Sequence, residues 1–169
     1  MYLSPSDDET AFLFAMDQIG YKLLESSEKK MLIDRNGQMT TLYPKAHFPF
    51  DSTRKMMSQV IKNERGEYVL MCKGADTAIL HRLKFKTNQE EEINELKRVI
   101  KLYSDAGLRT MIFGQVKFTV GMYKKFLVLV KKIRSVPIEE LIDEFDYFEQ
   151  NLEFLGITAV QDELQPNVG

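Results

Sequence analysis

The 169-residue sequence holds one cysteine, Cys72, so no internal disulfide can form, and no Cys/His pairs stand at the spacing of a zinc site. A reducing compartment is the expectation that follows. Long hydrophobic runs are also missing. The most apolar stretches, such as Lys125 to Ile133, fall far short of the roughly 20 residues a membrane helix needs, and nothing resembles a signal peptide. Nor is there an excess of charge of one sign, since 23 Lys+Arg stand against 25 Asp+Glu. A net charge of −2 supplies no basic field for a phosphate backbone, which argues against a nucleic-acid partner. Repeats, low-complexity tracts and interdomain linkers are absent too. What remains is 44% hydrophobic residues in a length that suits about one soluble domain.

Periodicity then divides the chain into elements. Asp8 is expected to cap a helix whose apolar positions Phe12, Ala15, Met16 and Ile19 form one buried face, with Gly20 as the stop. Asn36-Gly37, between Met31-Leu32-Ile33 and Met39 to Tyr43, is the strongest short hairpin signal available. A second hairpin is expected where Met57 to Ile61 and Glu67 to Lys73 flank a turn at Asn63-Glu64-Arg65-Gly66, leaving Lys73 at a strand end. Asp76 reads as the cap of a short helix from Thr77 to Leu83. Ile93, Leu96, Ile100 and Tyr103 mark a longer helix between Gln89 and Ala106 that ends at Gly107. Leu108 to Val116 reads as a strand, Gly121 to Ile133 and Ile138 to Gln150 as helices, the second opened by Pro137, and Leu152 to Val160 as a last strand. Two local hairpins among mixed elements predict an α+β fold, a mainly antiparallel sheet flanked by helices.

Chemistry-bearing residues are sparse. There is no glycine-rich phosphate loop, His47 and His81 lack companion ligands, and the carboxylate runs Glu90-Glu91-Glu92 and Glu139-Glu140 read as solvated helix faces. Neither a catalytic residue nor a metal ligand is expected. Three strings are more informative. In Phe50-Asp51-Ser52-Thr53-Arg54-Lys55 an aromatic precedes a polar, basic run, a composition that can stack on a base such as adenine and meet its polar edge or phosphates. Read by itself, Phe50 is ordinarily a core residue. Lys73-Gly74-Ala75-Asp76 puts a lysine at a strand end before a glycine that can let a ligand approach the backbone. Gly107-Leu108-Arg109-Thr110 puts an arginine at the start of a buried strand, where a salt bridge to a neighbouring carboxylate is the ordinary reading.

Taken together and in order, these strings resemble the nucleotide-binding (N) domain of P-type ATPases, most closely that of the type-IV branch, the phospholipid-transporting flippases. The resemblance is carried by Asp8-Glu9-Thr10-Ala11, Phe50 through Ser58, Lys73-Gly74-Ala75-Asp76-Thr77, Gly107-Leu108-Arg109-Thr110 and the closing Leu155 through Gln165, so it spans nearly the whole chain. It implies that Phe50 stacks on adenine with Ser52 in the same pocket, that Lys73 lies deep against the nucleotide, that Glu9 hydrogen-bonds on the adenine side and that Arg109 reaches toward the phosphates. Arg54 and Lys55 match family positions as supports of the site.

The resemblance further implies an N domain over residues 1–160, and over residues 161–169, which include Asp162, a return hinge toward a phosphorylation domain. The ligand would be ATP, with Mg2+ held mainly by domains outside this stretch. The partners would be the phosphorylation and actuator domains of the parent chain and an accessory subunit. The parent would be an integral membrane protein of which this is a cytosolic part, and the isolated stretch would bind nucleotide without the acceptor aspartate. Two other readings stay open: a degenerate flippase-like regulatory module, for example one fused to a guanylyl cyclase, and the N domain of a cation-transporting relative.

Overall fold

A computed structural model describes residues 6–85 and 88–161. Seven strands run in chain order across one antiparallel sheet: β1 (Tyr21–Ser26), β2 (Met31–Arg35), β3 (Gln38–Asp51), β4 (Met56–Lys62), β5 (Tyr68–Gly74), β6 (Arg109–Lys117) and β7 (Glu153–Val160). The helices are α1 (Asp7–Gln18), α2 (Asp76–Ile79), α3 (Gln89–Asp105), α4 (Val120–Lys132) and α5 (Ile142–Asp146), with 3₁₀ turns at Leu80–Arg82 and Ile138–Leu141. The fold is therefore the expected α+β arrangement.

Local chemistry explains the hairpins. Asn36 and Gly37 both take positive φ, 49° and 89°, the two-residue geometry that joins twisted strands, and β2 pairs with β3 on either side of them. The 14-residue β3 pairs with β2 as far as Leu42 and with β4 from Tyr43 onward, so it carries the sheet from one hairpin into the other. Its register breaks between Pro44 and Ala46, beside a proline that has no N–H to donate.

One sheet face carries the core. Phe48, Met56, Val60, Leu70, Cys72 and Ile112 are buried there with Leu96 and Ile100 of α3, Phe126 and Leu129 of α4, and Phe145 of α5. Phe48 and Phe145 lie ring on ring, centroids 4.1 Å apart and planes 8° from parallel. Beside this stack Glu149, wholly buried, accepts hydrogen bonds from the Arg54 guanidinium and from Ser58 Oγ at 2.6 Å. Arg82 pairs with Asp146 at 2.6 Å and donates to the Glu149 carbonyl at 3.4 Å. Burial pushes the neighbouring Cys72 thiol up to about 12.

Several expectations are corrected. The residue that caps α1 by position is Ser6, and Asp8 lies inside the first turn, buried by an ion pair described below. The stripe Phe12, Ala15, Met16, Ile19 is not a buried face. Only Phe12 turns partly inward, against Phe113 at 5.7 Å, while Met16 and Ile19 are exposed; the first turn of α1 meets the sheet through the charged Asp8 and Glu9 instead. Ala75, not Asp76, precedes the first turn of α2, and the helix expected from Ile138 to Gln150 is a 3₁₀ turn followed by the five-residue α5. The hinge expected at residues 161–169 lies, except for Gln161, outside the described residues, Asp162 included.

Candidate functional site

The sheet face opposite the core forms, with the start of α1, a cleft of about 880 Å³. Strand alternation places Lys73: on β5, Leu70 and Cys72 point to the core, so Lys73 points the other way. On β3, alternation by itself would put Phe50 on the face of buried Phe48, two residues before it, yet Phe50 is exposed. Phe50 is 62% exposed, which rejects the core reading for that residue. A bulge between Phe48 and Asp51 ends the regular β3–β4 pairing and releases Phe50 from the sheet's alternation.

The turn after β3 is built around Asp51. Its carboxylate accepts from the backbone N–H of Thr53 at 2.9 Å and of Arg54 at 2.8 Å, while its carbonyl accepts from Lys55 N–H at 2.7 Å. Lys55 thereby takes a positive φ of 54° and enters the cleft wall. The Lys55 carbonyl accepts from Ala75 N–H at 3.0 Å, tying this turn to the Lys73-Gly74-Ala75 corner. A Cβ on Gly74 would stand 2.6 Å from Met56 Cβ and 2.7 Å from the Lys55 carbonyl oxygen. The sequence suggests a glycine kept small for a ligand; in the structure Gly74 is kept small for the neighbouring turn.

Three cations line the cleft, and α1 meets two of them with consecutive carboxylates. Asp8 holds Arg109 through two contacts, 2.9 and 3.3 Å, and Glu9 holds Lys73 at 2.9 Å. The Lys73 ammonium also lies 5.6 Å from the Phe12 ring centre. Among the described residues no carboxylate pairs with Lys55, so the five charged groups leave one positive charge in excess. Met57, Leu108 and Met111 supply an apolar floor. An exposed ring, apolar side chains and an excess of positive charge lining one cleft suit a ligand with a flat aromatic part and an anionic part.

Of the five residues singled out by sequence, Glu9, Phe50, Lys73 and Arg109 line this cleft together. Ser52 does not; it sits exposed in the turn beyond Phe50. Arg54 faces the core side, against Glu149. Lys55, read only as a support, is a lining residue, and the anchoring role of Asp8 on Arg109 carries no local sequence signal, because the partners are 101 residues apart. Among the described residues no group of three His, Cys, Asp or Glu side chains is placed to hold a metal ion, and no helix is long and apolar enough to cross a membrane.

Residues 4–167 match the family described as P-type ATPase, cytoplasmic domain N. The chain is 31% identical over 182 residues to the probable phospholipid-transporting ATPase 12 of Arabidopsis thaliana, covering 99% of this chain and 15% of that protein. It is 32% identical over 171 residues to a phospholipid-transporting ATPase of Schizosaccharomyces pombe, and 30% identical over 172 residues to the phospholipid-transporting ATPase DRS2 of Saccharomyces cerevisiae, in each case with 99% of this chain and 12% of the relative covered. The chain thus spans 12–15% of the length of these curated relatives.

Proposed function

Because the chain belongs to the family of P-type ATPase cytoplasmic N domains, we propose that its cleft binds ATP and presents it to an aspartate in a separate phosphorylation domain of a phospholipid-translocating parent. The observation that carries this reading is Phe50, a large aromatic ring left 62% exposed at a cleft whose other lining includes Lys55, Lys73 and Arg109. Leaving such a ring in water gains nothing for the fold, and stacking it on a base recovers the apolar burial.

Each residue has a distinct part. Phe50 stacks on the adenine; Lys73, steadied by Glu9, sits at the inner wall; Arg109, steadied by Asp8, and Lys55 face the phosphates. Ser52 stands beyond the cleft lining, so its part is that of a neighbour to the Phe50 turn. The chain orients the nucleotide and carries out no bond-making step. The acceptor aspartate, the Mg2+ that accompanies the phosphates and the actuator domain belong to other parts of the parent, an integral membrane protein of which this domain is a cytosolic portion, served by an accessory subunit. Weak affinity, on the order of millimolar to high micromolar, follows from an open half-site whose cations are already partly neutralised.

The test is an NMR titration of the labelled domain with ATP, AMP and GTP. Saturable shifts centred on Phe50, Lys73 and Arg109, larger for adenine than for guanine, are expected. Shifts spread over the opposite sheet face, or none at millimolar ATP, would sink the assignment.

A further inference from the structure

The cleft accounts for one sheet face, whereas helix α4 lies over the other. Between residues 116 and 138 the chain carries six Lys+Arg and no Asp or Glu, in a chain that elsewhere has 17 Lys+Arg against 25 Asp+Glu. The near-neutral total therefore conceals one strongly basic segment.

α4 has two stripes in antiphase. Met122, Phe126, Leu129 and Val130 face the core, at the spacing of one helix face. Val120, Lys124, Leu127, Val128 and Lys131 follow the same spacing on the outward side, where Val120 is 74% exposed, Leu127 46% and Val128 56%. Some cations of the segment are engaged: Lys132 pairs with Glu144 at 2.7 Å, Lys117 with Glu67 at 3.7 Å, and Lys125 sits 3.7 Å over the Tyr147 ring. Lys124 and Lys131, within the outward stripe beside the exposed aliphatics, and Arg134, just past the helix, have no partner among the described residues.

A helix face about 20 Å long on which unpaired cations interleave with exposed aliphatics is complementary to a second helix whose face interleaves apolar side chains with carboxylates. We propose that the outward face of α4 docks an acidic amphipathic helix of a partner protein. A nucleic acid would gain nothing from the exposed Val120, Leu127 and Val128 of the patch. A bilayer would gain little: three aliphatic side chains offer less apolar surface than one myristoyl chain, which anchors only marginally. The site is independent of the nucleotide reading, since it lies across the sheet from the cleft.

The probe is a synthetic 21-residue helix with leucines and glutamates interleaved along one face, fluorescently labelled and titrated with the domain. Saturable binding that weakens as salt rises is expected, and at least tenfold weaker binding to a K124E/K131E/R134E variant whose melting temperature matches the parent. A matched peptide with lysines for glutamates should reverse that preference. Equal binding of both proteins, or no binding at millimolar concentration, overturns the proposal. So does stronger attachment to phosphatidylserine vesicles than to the peptide, lost in the same variant, which would give the face to lipid.

Discussion

Phe48 and Phe50 are two residues apart on β3 and identical in side chain, yet truncating them should have opposite consequences. Phe50 is 62% exposed, so little more than a third of the burial worth of a phenylalanine is at stake in the fold. At about 1.5–3 kcal/mol for full burial, Phe50→Ala should cost about 0.5–1 kcal/mol, a few degrees at most in melting temperature for a domain of this size. If the ring stacks on adenine, the same truncation removes about 1–3 kcal/mol from binding, or about 5- to 150-fold in affinity. Phe48 is wholly buried, with its ring 4.1 Å from that of Phe145, so Phe48→Ala should cost about 3–5 kcal/mol and leave much of the protein unfolded on warming. Thermal melts followed by circular dichroism, with ATP titrations of the same samples by NMR, separate the two. The reasoning is refuted if Phe50→Ala melts many degrees lower while binding ATP as well as the parent.

Other perturbations have equally definite outcomes. Gly74→Ala forces a methyl against Met56 Cβ and the Lys55 carbonyl, so urea unfolding should show a loss of about 1–3 kcal/mol, with the turn that carries Lys55 shifted in its amide spectrum. Asp8→Asn removes one of the two carboxylates in the cleft and releases Arg109, so the ratio of ATP to AMP affinity by calorimetry should rise several-fold; an unchanged ratio would mean that Arg109 does not face the phosphates. For Cys72, burial raises the folded thiol from 9.0 to about 12, so its contribution to stability is complete below pH 9 and is lost as pH rises from 9 through about 12. Urea midpoints measured across pH 8 to 11 should fall more steeply for the parent than for Cys72→Ala, and the native thiol should resist alkylation at pH 8.

The parts of the fold that were legible in sequence are those fixed by neighbours in the chain. Asn36-Gly37 announces its turn because those two residue types tolerate positive φ, and the α3 stripe of Leu96 and Ile100 announces its buried face. The α1 stripe misled, because periodicity cannot tell an apolar face that meets the sheet from one displaced by an acidic pair with partners far along the chain. Asp8 finds Arg109 across 101 residues, Glu9 finds Lys73 across 64, and Ser58 finds Glu149 across 91. Phe50 is ambiguous for a related reason: strand parity puts it on the same face as Phe48, and the bulge that releases it depends on the pairing with β4. Family resemblance, not periodicity, singled out the residues that converge on the cleft, and it left Lys55 as a mere support and included Ser52, which stands outside the lining.

The strict order of the strands, each paired with its predecessor and successor in the chain, bears on how the domain is made. A sheet of this kind can grow at one edge while the polypeptide leaves the ribosome, since no strand waits for a later one to be inserted between it and its neighbour. β1 to β5 are joined by short turns and can zip together early. The two long excursions, residues 75–108 and 118–152, must each close a loop before β6 and β7 can add. The cleft wall built from Lys73 and Arg109 joins β5 to β6 across the first of these closures, so the cleft should be completed late in synthesis, after the hairpins are already in place.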